Sequence, residues 1–300
     1  MATWYIATTG NDTTGNGSSG SPYLTVGKCV SVGSSGDTIS VASGTYTWAS
    51  VNFAGKAFTI TAQTNGGPIF DAGGAQILWQ DLGTPGQTRT FTITGIEFKN
   101  AIPTASTTYS IFCAMNGNGN QIWNFNNCTF RDIKVDGNGD SGGLFGQSVG
   151  GGNWINAICT NCLFDNTARV NPAYSSAAAI VHQRASSTAA GGFQFINCTF
   201  YFNKTGLDNL TNFITGQGTP SAATSLIIKN CAMYNAGTAF TFYGNSWSSG
   251  ATVSYSAING FTSPPTGTGV ITSDPLLVDP ANDIFRLKPA SPCRGTGTAV

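Results

Sequence analysis

The sequence predicts an all-β protein, and three observations support this prediction. A six-residue motif recurs as FNNCTF at 125–130, CTNCLF at 159–164 and FINCTF at 195–200. Apolar and polar residues alternate around the motif, as in a strand with one buried face. Segments rich in glycine and asparagine, such as MNGNGN at 115–120, separate the copies, and these residues favour turns. The pattern indicates one strand-containing unit repeated along the chain.

The spacing of the copies indicates the kind of repeat protein. Aligned on the cysteine, the units form one column of Ile96, Cys128, Cys162, Cys198, Cys231 and Ser256. Two positions later the column is Phe98, Phe130, Phe164, Phe200, Met233 and Ile258. A two-residue period puts both columns on the same side of a strand, facing inward. Steps of 25–36 residues without helical periodicity predict a parallel β-helix. We expect a right-handed solenoid of about eight to ten coils, stacked at roughly 4.8 Å.

A second strand is predicted in each coil, upstream of the cysteine motif. The candidate segments are YSIFCA at 109–114, GGLFGQ at 142–147, AAIVHQ at 178–183, TNFITG at 211–216 and TAFTFY at 238–243. β-Branched and aromatic residues recur in them, and glycine-rich or asparagine-rich turns separate them from the next motif. We therefore expect two strands per coil, with the cysteine motif forming one continuous strand.

The composition restricts the classes of partner. Charged residues make up 9% of the 300-residue chain, and 13 basic residues balance 13 acidic ones. This neutrality disfavours nucleic acid and anionic membrane surfaces. Hydrophobic residues at 40% are enough for a buried core, despite 39 glycines.

Targeting signals are not recognisable in the sequence. No segment approaches the roughly 18 apolar residues of a membrane span. The N-terminus, MATWYIATTGND, lacks the charged and apolar regions of a secretory signal peptide. We expect either a protein made without Sec export or one whose leader has been replaced by Met1.

The eight cysteines predict neither a disulfide framework nor a zinc site. Four of them occupy the repeated column, and each of these follows an asparagine. The CTNC spacing at 159–162 has no second CxxC and no nearby histidine to complete four ligands. We expect a column of small, apolar, inward-facing thiols.

Both ends of the chain resemble one known family. The opening at 4–47, with GND at 10–12, a short helix near 24–32 and GDTISVASGTY at 36–46, is similar to the first coil of pectate-lyase-like right-handed β-helix proteins. The closing segment at 273–297 resembles the end of the same superfamily. The resemblance implies one capped domain, with a cap and first coil at 1–47, coils at 48–272 and a closing segment at 273–300. Because this superfamily includes lyases, hydrolases, epimerases, adhesins and phage tailspikes, its fold does not select a function.

Glycan-binding candidates lie in a column that is predicted to face outward. This column contains Lys99, Arg131, Asp165, Tyr201 and Tyr234. We expect Arg131 and Asp165 to form a surface ion pair between neighbouring coils. Tyr201 and Tyr234 should form an exposed aromatic pair. Such a pair either stabilises the solenoid by stacking or binds sugar rings, with Arg131 beside it.

Catalytic candidates are few. His182 is the only histidine, and with Arg184 and a neighbouring carboxylate such as Asp165 it is the candidate set for an enzyme. Histidine can transfer protons near neutral pH, and arginine can neutralise a uronate. The simpler alternative is a hydrogen-bonded structural histidine. Glycoside hydrolysis needs two nearby carboxyl groups, and the sequence shows no adjacent pair of aspartates.

Calcium candidates occur in RDIKVDGNGD at 131–140, where Asp132, Asp136 and Asp140 form the densest acidic patch. Calcium takes six to eight oxygen ligands, often carboxylates, but an ordinary turn is the simpler explanation of this loop. Asp132 also aligns with amide residues in the column Asn100, Asp132, Asn166 and Asn235. That column predicts a ladder at a coil corner, where the side chains cap backbone groups.

The functional expectation is a structural or glycan-binding β-helix without catalysis. It would serve as a virion spike, decoration or tail protein, or as a surface-adhesion module, on the virion or outside the cell. The expected partners are a polysaccharide or other virion or surface proteins, with no cofactor and with a homotrimer as the assembly. The alternative is a polysaccharide lyase or glycoside hydrolase that acts on an acidic polysaccharide.

Overall fold

The computed structural model describes residues 1–75, 77–84, 86–101, 111–114, 119–135, 143–147, 155–166, 169–170, 179–184, 192–202, 212–217, 225–235, 240–243 and 251–298. Three long sheets of parallel strands dominate this part of the chain. The protein is a parallel β-helix, as the repeat predicts.

Sheet A has nine strands. They are β1 (Thr3–Ile6), β2 (Thr38–Val41), β5 (Thr59–Ala62), β8 (Thr88–Thr94), β11 (Asn120–Asn126), β15 (Ile155–Thr160), β19 (Gly192–Ile196), β22 (Ser225–Lys229) and β25 (Ala251–Ser254). Sheet B has eight strands. They are β4 (Val51–Asn52), β7 (Trp79–Gln80), β10 (Phe112–Ala114), β14 (Gly143–Gln147), β18 (Ala179–Arg184), β21 (Asn212–Gln217), β24 (Phe240–Tyr243) and β27 (Phe261–Thr262).

Sheet C also has eight strands. They are β3 (Gly44–Thr47), β6 (Pro68–Asp71), β9 (Glu97–Lys99), β12 (Thr129–Arg131), β16 (Leu163–Asp165), β20 (Thr199–Phe202), β23 (Ala232–Asn235) and β26 (Ala257–Asn259). The remaining strands form two two-stranded sheets. One pairs β13 (Lys134–Val135) with β17 (Arg169–Val170), and the other pairs β28 (Leu277–Asp279) with β29 (Ile284–Leu287).

A typical coil contributes one strand to each sheet. Strands β10, β11 and β12 belong to sheets B, A and C, and β14, β15 and β16 repeat that order one coil later. Neighbouring strands within each sheet are parallel and in register, for example with Phe130 beside Phe98 and Phe164. The backbone groups of a coil therefore bond to the coils before and after it.

The cysteine motif is not one strand, so the prediction of two strands per coil is wrong. Asn127, Asn161 and Asn197 adopt positive φ angles of 52°, 54° and 54°, and each lies between a strand of sheet A and a strand of sheet C. Asparagine visits this left-handed region at lower cost than most residues. This corner divides the motif into two strands, so a coil has three strands in all. Periodicity does not reveal the corner, because the alternation of apolar residues continues on both sides of it.

The two predicted inward columns are confirmed. Cys128, Cys162, Cys198 and Cys231 are buried and free of disulfides. Burial is the largest cause that raises the pKa of the Cys128 and Cys198 thiols. The phenyl rings of Phe98, Phe130, Phe164 and Phe200 stack in sequence, with centroid distances of 5.6, 5.0 and 4.5 Å. This stack lies in the core that the three sheets share.

The two ends of the rod have their own elements. Helix α1 (Val26–Val32) is capped by Thr25, whose side chain accepts a hydrogen bond from Lys28 N, and it buries Val26, Cys29 and Val30. This helix was predicted near residues 24–32. At the other end, β28 and β29 form an antiparallel pair joined by a short 3-10 helix, Pro280–Asn282. No helix in the described ranges is long and apolar enough to cross a membrane.

Candidate functional site

The outward face of sheet C carries the residues that the sequence proposed for glycan binding. Register places one residue from each of six consecutive strands side by side, and we call this set the outward column. Its members are Asp71, Lys99, Arg131, Asp165, Tyr201 and Tyr234. They alternate with the inward phenylalanines, so their side chains lie on the opposite side of the sheet.

Arg131 is surrounded by carboxylates. Its Nη1 contacts the carboxylate of Asp165 and lies 2.6 Å from Oδ1 of Asp283, while its Nε lies 3.4 Å from Oε1 of Glu97. The predicted pair of Arg131 and Asp165 is confirmed, although Asp165 is buried rather than at the surface. Partial burial opposes ionisation of Arg131, but the three carboxylates raise its pKa overall. An anionic ligand would have to compete with these groups.

A second ion pair extends the outward column. Lys99 Nζ lies 3.5 Å from Oδ2 of Asp71. Partial burial tends to raise the pKa of Asp71, but the N–H of Gly73, the amide of Asn100 and the ammonium of Lys99 lower it overall. Asp71 is therefore held in its ionised form.

Tyr201 and Tyr234 stack as predicted, but the expectation that both are exposed is wrong. Their ring centroids are 5.5 Å apart, with an angle of 14° between the rings. Tyr201 is only 6% exposed, and Phe285 packs edge-on against it at 5.6 Å. Tyr234 is half-buried. The cause is the closing segment, which lies over this part of sheet C.

The closing segment also creates a pocket beside the tyrosines. The pocket has a volume of about 170 Å³ and is lined by Tyr201, Tyr234, Asp274, Leu276, Leu277, Pro280 and Lys288. We call it the tyrosine pocket. Lys288 and Asp274 are exposed, and Asp274 Oδ1 accepts a hydrogen bond of 2.7 Å from Leu276 N. An aromatic ring, a carboxylate and an ammonium thus meet at one depression on the outward face.

The sequence did not identify Asp274 and Lys288 as site residues. Both belong to the closing segment, which is outside the repeat and has no column from which its neighbours can be inferred. The resemblance identified this segment as the end of the solenoid but did not predict which sheet the segment packs against.

The catalytic candidates lie on two different sheets. His182 and Arg184 are in β18 of sheet B, where the in-register neighbours of His182 are Gly146 and Thr215. Asp165 lies in β16 of sheet C and contacts Arg131. The side chains of His182 and Arg184 are outside the described part of the structure, so their catalytic role stays a prediction.

The calcium candidates are described only in part. Asp136 and Asp140 lie outside the described residues. Asp132 has a positive φ of 49°, and its backbone N–H donates to Asp165 O at 3.0 Å. Within the described ranges, no group of three or more His, Cys, Asp or Glu side chains is placed to hold a metal ion. Calcium binding at this loop stays a prediction.

The predicted corner is confirmed at three positions of this column, but the predicted capping of backbone groups is not: Asn100 Nδ2 donates to Asp71 Oδ1, and Asn166 Nδ2 donates to Asp165 Oδ1. Asn100, Asp132 and Asn166 have positive φ angles of 57°, 49° and 47°. Asn235 instead lies within β23, where its Nδ2 donates to Gly260 O at 2.9 Å. The column marks a corner in the three successive coils of β9, β12 and β16 and a longer strand at β23.

Comparisons with known proteins give structural similarity alone. No protein-family model matches the chain. No curated protein matches it either. Similar solved structures include the complex of XylC with xylose, at 10% identity over 89% of this chain and 67% of that chain, with a TM-score of 0.48. A rhamnogalacturonan lyase has 13% identity, coverage of 91% and 85%, and a TM-score of 0.40. Pectate lyase Pel9A has 14% identity, coverage of 100% and 92%, and a TM-score of 0.35. Similarities this low leave the function to be argued from the site.

Proposed function

We propose that this chain is a glycan-binding β-helix whose role is attachment, as in a virion spike or a surface-adhesion module. The tyrosine pocket would hold one sugar residue of a polysaccharide that lies along the outward column. The observation that carries the proposal is the meeting of Tyr234, Asp274 and Lys288 at this pocket.

The chemistry of these three side chains suits a sugar. A tyrosine offers an apolar ring and a polar tip, which match the C–H bonds and hydroxyls of a sugar. A carboxylate accepts hydrogen bonds from hydroxyls, and an ammonium donates up to three. The pocket, at about 170 Å³, is below the roughly 300–1,000 Å³ of drug-sized sites. It therefore suits one ring, with the rest of the chain on the surface.

The ion pairs of the outward column favour attachment over turnover. A general acid in a glycosidase needs a raised pKa, whereas the pKa of Asp71 is lowered. Glu97, Asp165 and Asp283 all lie against Arg131. All three carboxylates are thus engaged in ion pairs with one guanidinium, an arrangement that supports the sheet and presents no separate carboxyl group to a substrate.

The same contacts favour recognition through hydroxyl groups. Arg131 already has three carboxylate neighbours, so a uronate would gain little there and would meet like charges. We therefore propose a neutral or weakly charged polysaccharide as the ligand. Use as a spike would place the protein on a virion or outside the cell, and we propose a homotrimer as its assembly. The mass of the protein in solution, measured by light scattering, tests that assembly.

Substitution of the pocket residues tests the proposal. Lys288→Ala and Tyr234→Ala should each weaken retention on a bound polysaccharide several-fold. Lys288→Ala should leave the melting temperature nearly unchanged, because this side chain is exposed. Thr90→Ala, an exposed position on sheet A, is the matched control. Unchanged retention in both pocket variants would overturn the assignment of this pocket.

A further inference from the structure

A larger cleft lies at the N-terminal end of the rod. It is bounded by residues 24–27, at the start of α1, and by residues 47–51, at the corner between β3 and β4. Its volume is about 350 Å³, which is within the roughly 300–1,000 Å³ of small-molecule sites. We call it the N-terminal cleft. It is separate from the tyrosine pocket and shares no lining residue with it.

The floor of the cleft is aromatic. Tyr46, Trp48, Phe70 and Trp79 line it, and all four are buried. Tyr46 packs on Phe70 at 5.4 Å between centroids, and Trp48 meets Trp79 edge-on at 6.5 Å. The floor is therefore held in place by the core, and its rings contact a ligand only if the corner above them opens.

One polar atom of the floor has no partner. Trp48 is 1% exposed, and its indole Nε1 has no hydrogen-bond acceptor. In contrast, Trp79 Nε1 donates to Ala49 O at 2.9 Å, and Trp123 Nε1 donates to Gln121 Oε1 at 3.0 Å. A buried donor without an acceptor destabilises a fold, and such a group calls for a physical explanation. A ligand oxygen that reached this N–H would recover that free energy.

The rim is exposed and rich in hydroxyl groups. Thr45 and Thr47 are exposed residues of β3 that line the cleft, and Ser50 lies at the corner. Ala49 is also exposed there and leaves the mouth open on one side. Because the Trp48 N–H is sealed from solvent, a ligand oxygen reaches it only if this exposed corner moves. Hydroxyls on the rim and one N–H in the floor can bond to a polyhydroxylated ligand.

The lining carries no charge. Every residue that lines the cleft is described, and none is Asp, Glu, Lys, Arg or His. A charged ligand would lose water here without gaining an ionic partner, which is costly. The ligand class is therefore uncharged.

We propose that the N-terminal cleft binds an uncharged sugar ring, with its apolar face against the aromatic floor and an oxygen accepting from Trp48 Nε1. This site is additional to the tyrosine pocket, and it does not depend on the proposed attachment function.

Indole ¹H–¹⁵N spectra test the proposal. The full chain, labelled on tryptophan, is titrated to tens of millimolar with the methyl glycosides of glucose, galactose, N-acetylglucosamine and rhamnose. At least one should shift the Trp48 resonance, assigned with Trp48→Phe, and leave Trp123 unmoved. Trp48→Phe keeps most of the ring but removes the donor, so binding followed by calorimetry should weaken about three- to tenfold.

Three further variants separate the cleft from other causes. Ala49→Phe should block the mouth and abolish the Trp48 shift without changing a buried residue. Thr90→Phe, an equally bulky change on exposed sheet A, and Tyr234→Ala, in the tyrosine pocket, should both keep the shift. No shift with any of the four glycosides, or a shift that survives Ala49→Phe, would overturn the site. Equal shifts with methyl glucuronide would overturn the uncharged ligand class.

Discussion

Asp37 shows how much one side chain contributes to the N-terminal end of the rod. Its Oδ1 accepts from Ala2 N at 2.6 Å, and its Oδ2 accepts from Trp4 Nε1 and Ser34 N, each at 2.9 Å. The carboxylate is 4% exposed. The backbone N–H of Ser34, then that of Ala2 and the Trp4 indole, lower the pKa of Asp37 to about 2. One ionised group thus connects β1 with the turn that precedes β2.

We predict an acid-dependent loss of stability that originates at Asp37. Because its pKa is lower in the folded chain, the ionised form stabilises the fold. The stabilisation is complete above the unfolded value of about 3.9 and is lost as the pH falls toward about 2. Asp37→Asn should melt below the wild type at pH 7, and the difference should shrink from about pH 4 down to about pH 2.

Melting curves followed by circular dichroism measure this difference. Asp279→Asn, at the opposite end of the rod, is a control because Asp279 accepts one side-chain hydrogen bond, from Asn282. A gap between Asp37→Asn and wild type that persists unchanged to pH 2 would contradict the role given to ionised Asp37.

Single residues differ in how far the sequence could predict them. The buried thiols were predictable because Cys128, Cys162 and their equivalents repeat at one position of four successive units. The missing partner of Trp48 Nε1 was not, because it depends on which acceptors the folded corner between β3 and β4 leaves out of reach. The sequence around Trp48, GTYTWAS, does not indicate whether its indole N–H finds an acceptor.

At the scale of elements, the closing segment determines what sheet C presents to solvent. Asp283 bonds to Arg131, and Phe285 packs on Tyr201. Asp283 is 65% exposed, so its ion pair is worth about 0–1 kcal/mol. The aromatic contact of Phe285 adds roughly 0.5–1.5 kcal/mol beyond the area that it buries. Of these two contacts, the packing of Phe285 therefore contributes more to holding the segment.

We predict that Phe285→Ala loosens the closing segment more than Asp283→Ala does. Hydrogen exchange of the amides in β28 and β29 should speed up strongly in the first variant and slightly in the second. Val278→Ala is the control, because Val278 is an exposed residue of the same hairpin. Equal exchange in all three variants would show that the contact with Tyr201 does not hold the segment.

The elements also show why periodicity alone predicts one long strand where the structure has two shorter ones. The motif FNNCTF contains a corner at Asn127, where a positive φ divides β11 from β12. Apolar residues face the core on both sides of the corner, so the pattern does not break there. The upstream strands of sheet B were predictable, as the overlap of 179–184 with the predicted 178–183 shows. In the sequence, residues that favour turns lie on either side of each predicted segment.

At the scale of the whole molecule, the repeat predicts the stacked coils but does not predict which residues of their surface are accessible to solvent. Stacked columns make each coil depend on its neighbours, so the parallel sheets and the aromatic core follow from the repeat. The outward column was also predictable, since it is in register with the inward one. Its accessibility was not, because the closing segment that covers Tyr201 has no place in the repeat.

The most direct test of attachment without turnover measures binding and product release in the same samples. The wild-type chain is incubated with bacterial, algal and plant polysaccharides, with and without Ca²⁺. Retained protein, new reducing ends and unsaturated uronate are then quantified. We predict retention on at least one polysaccharide, with no products beyond the amount of protein. Products in large molar excess would show an enzyme and contradict the account, and an absence of retention across the panel would contradict glycan binding.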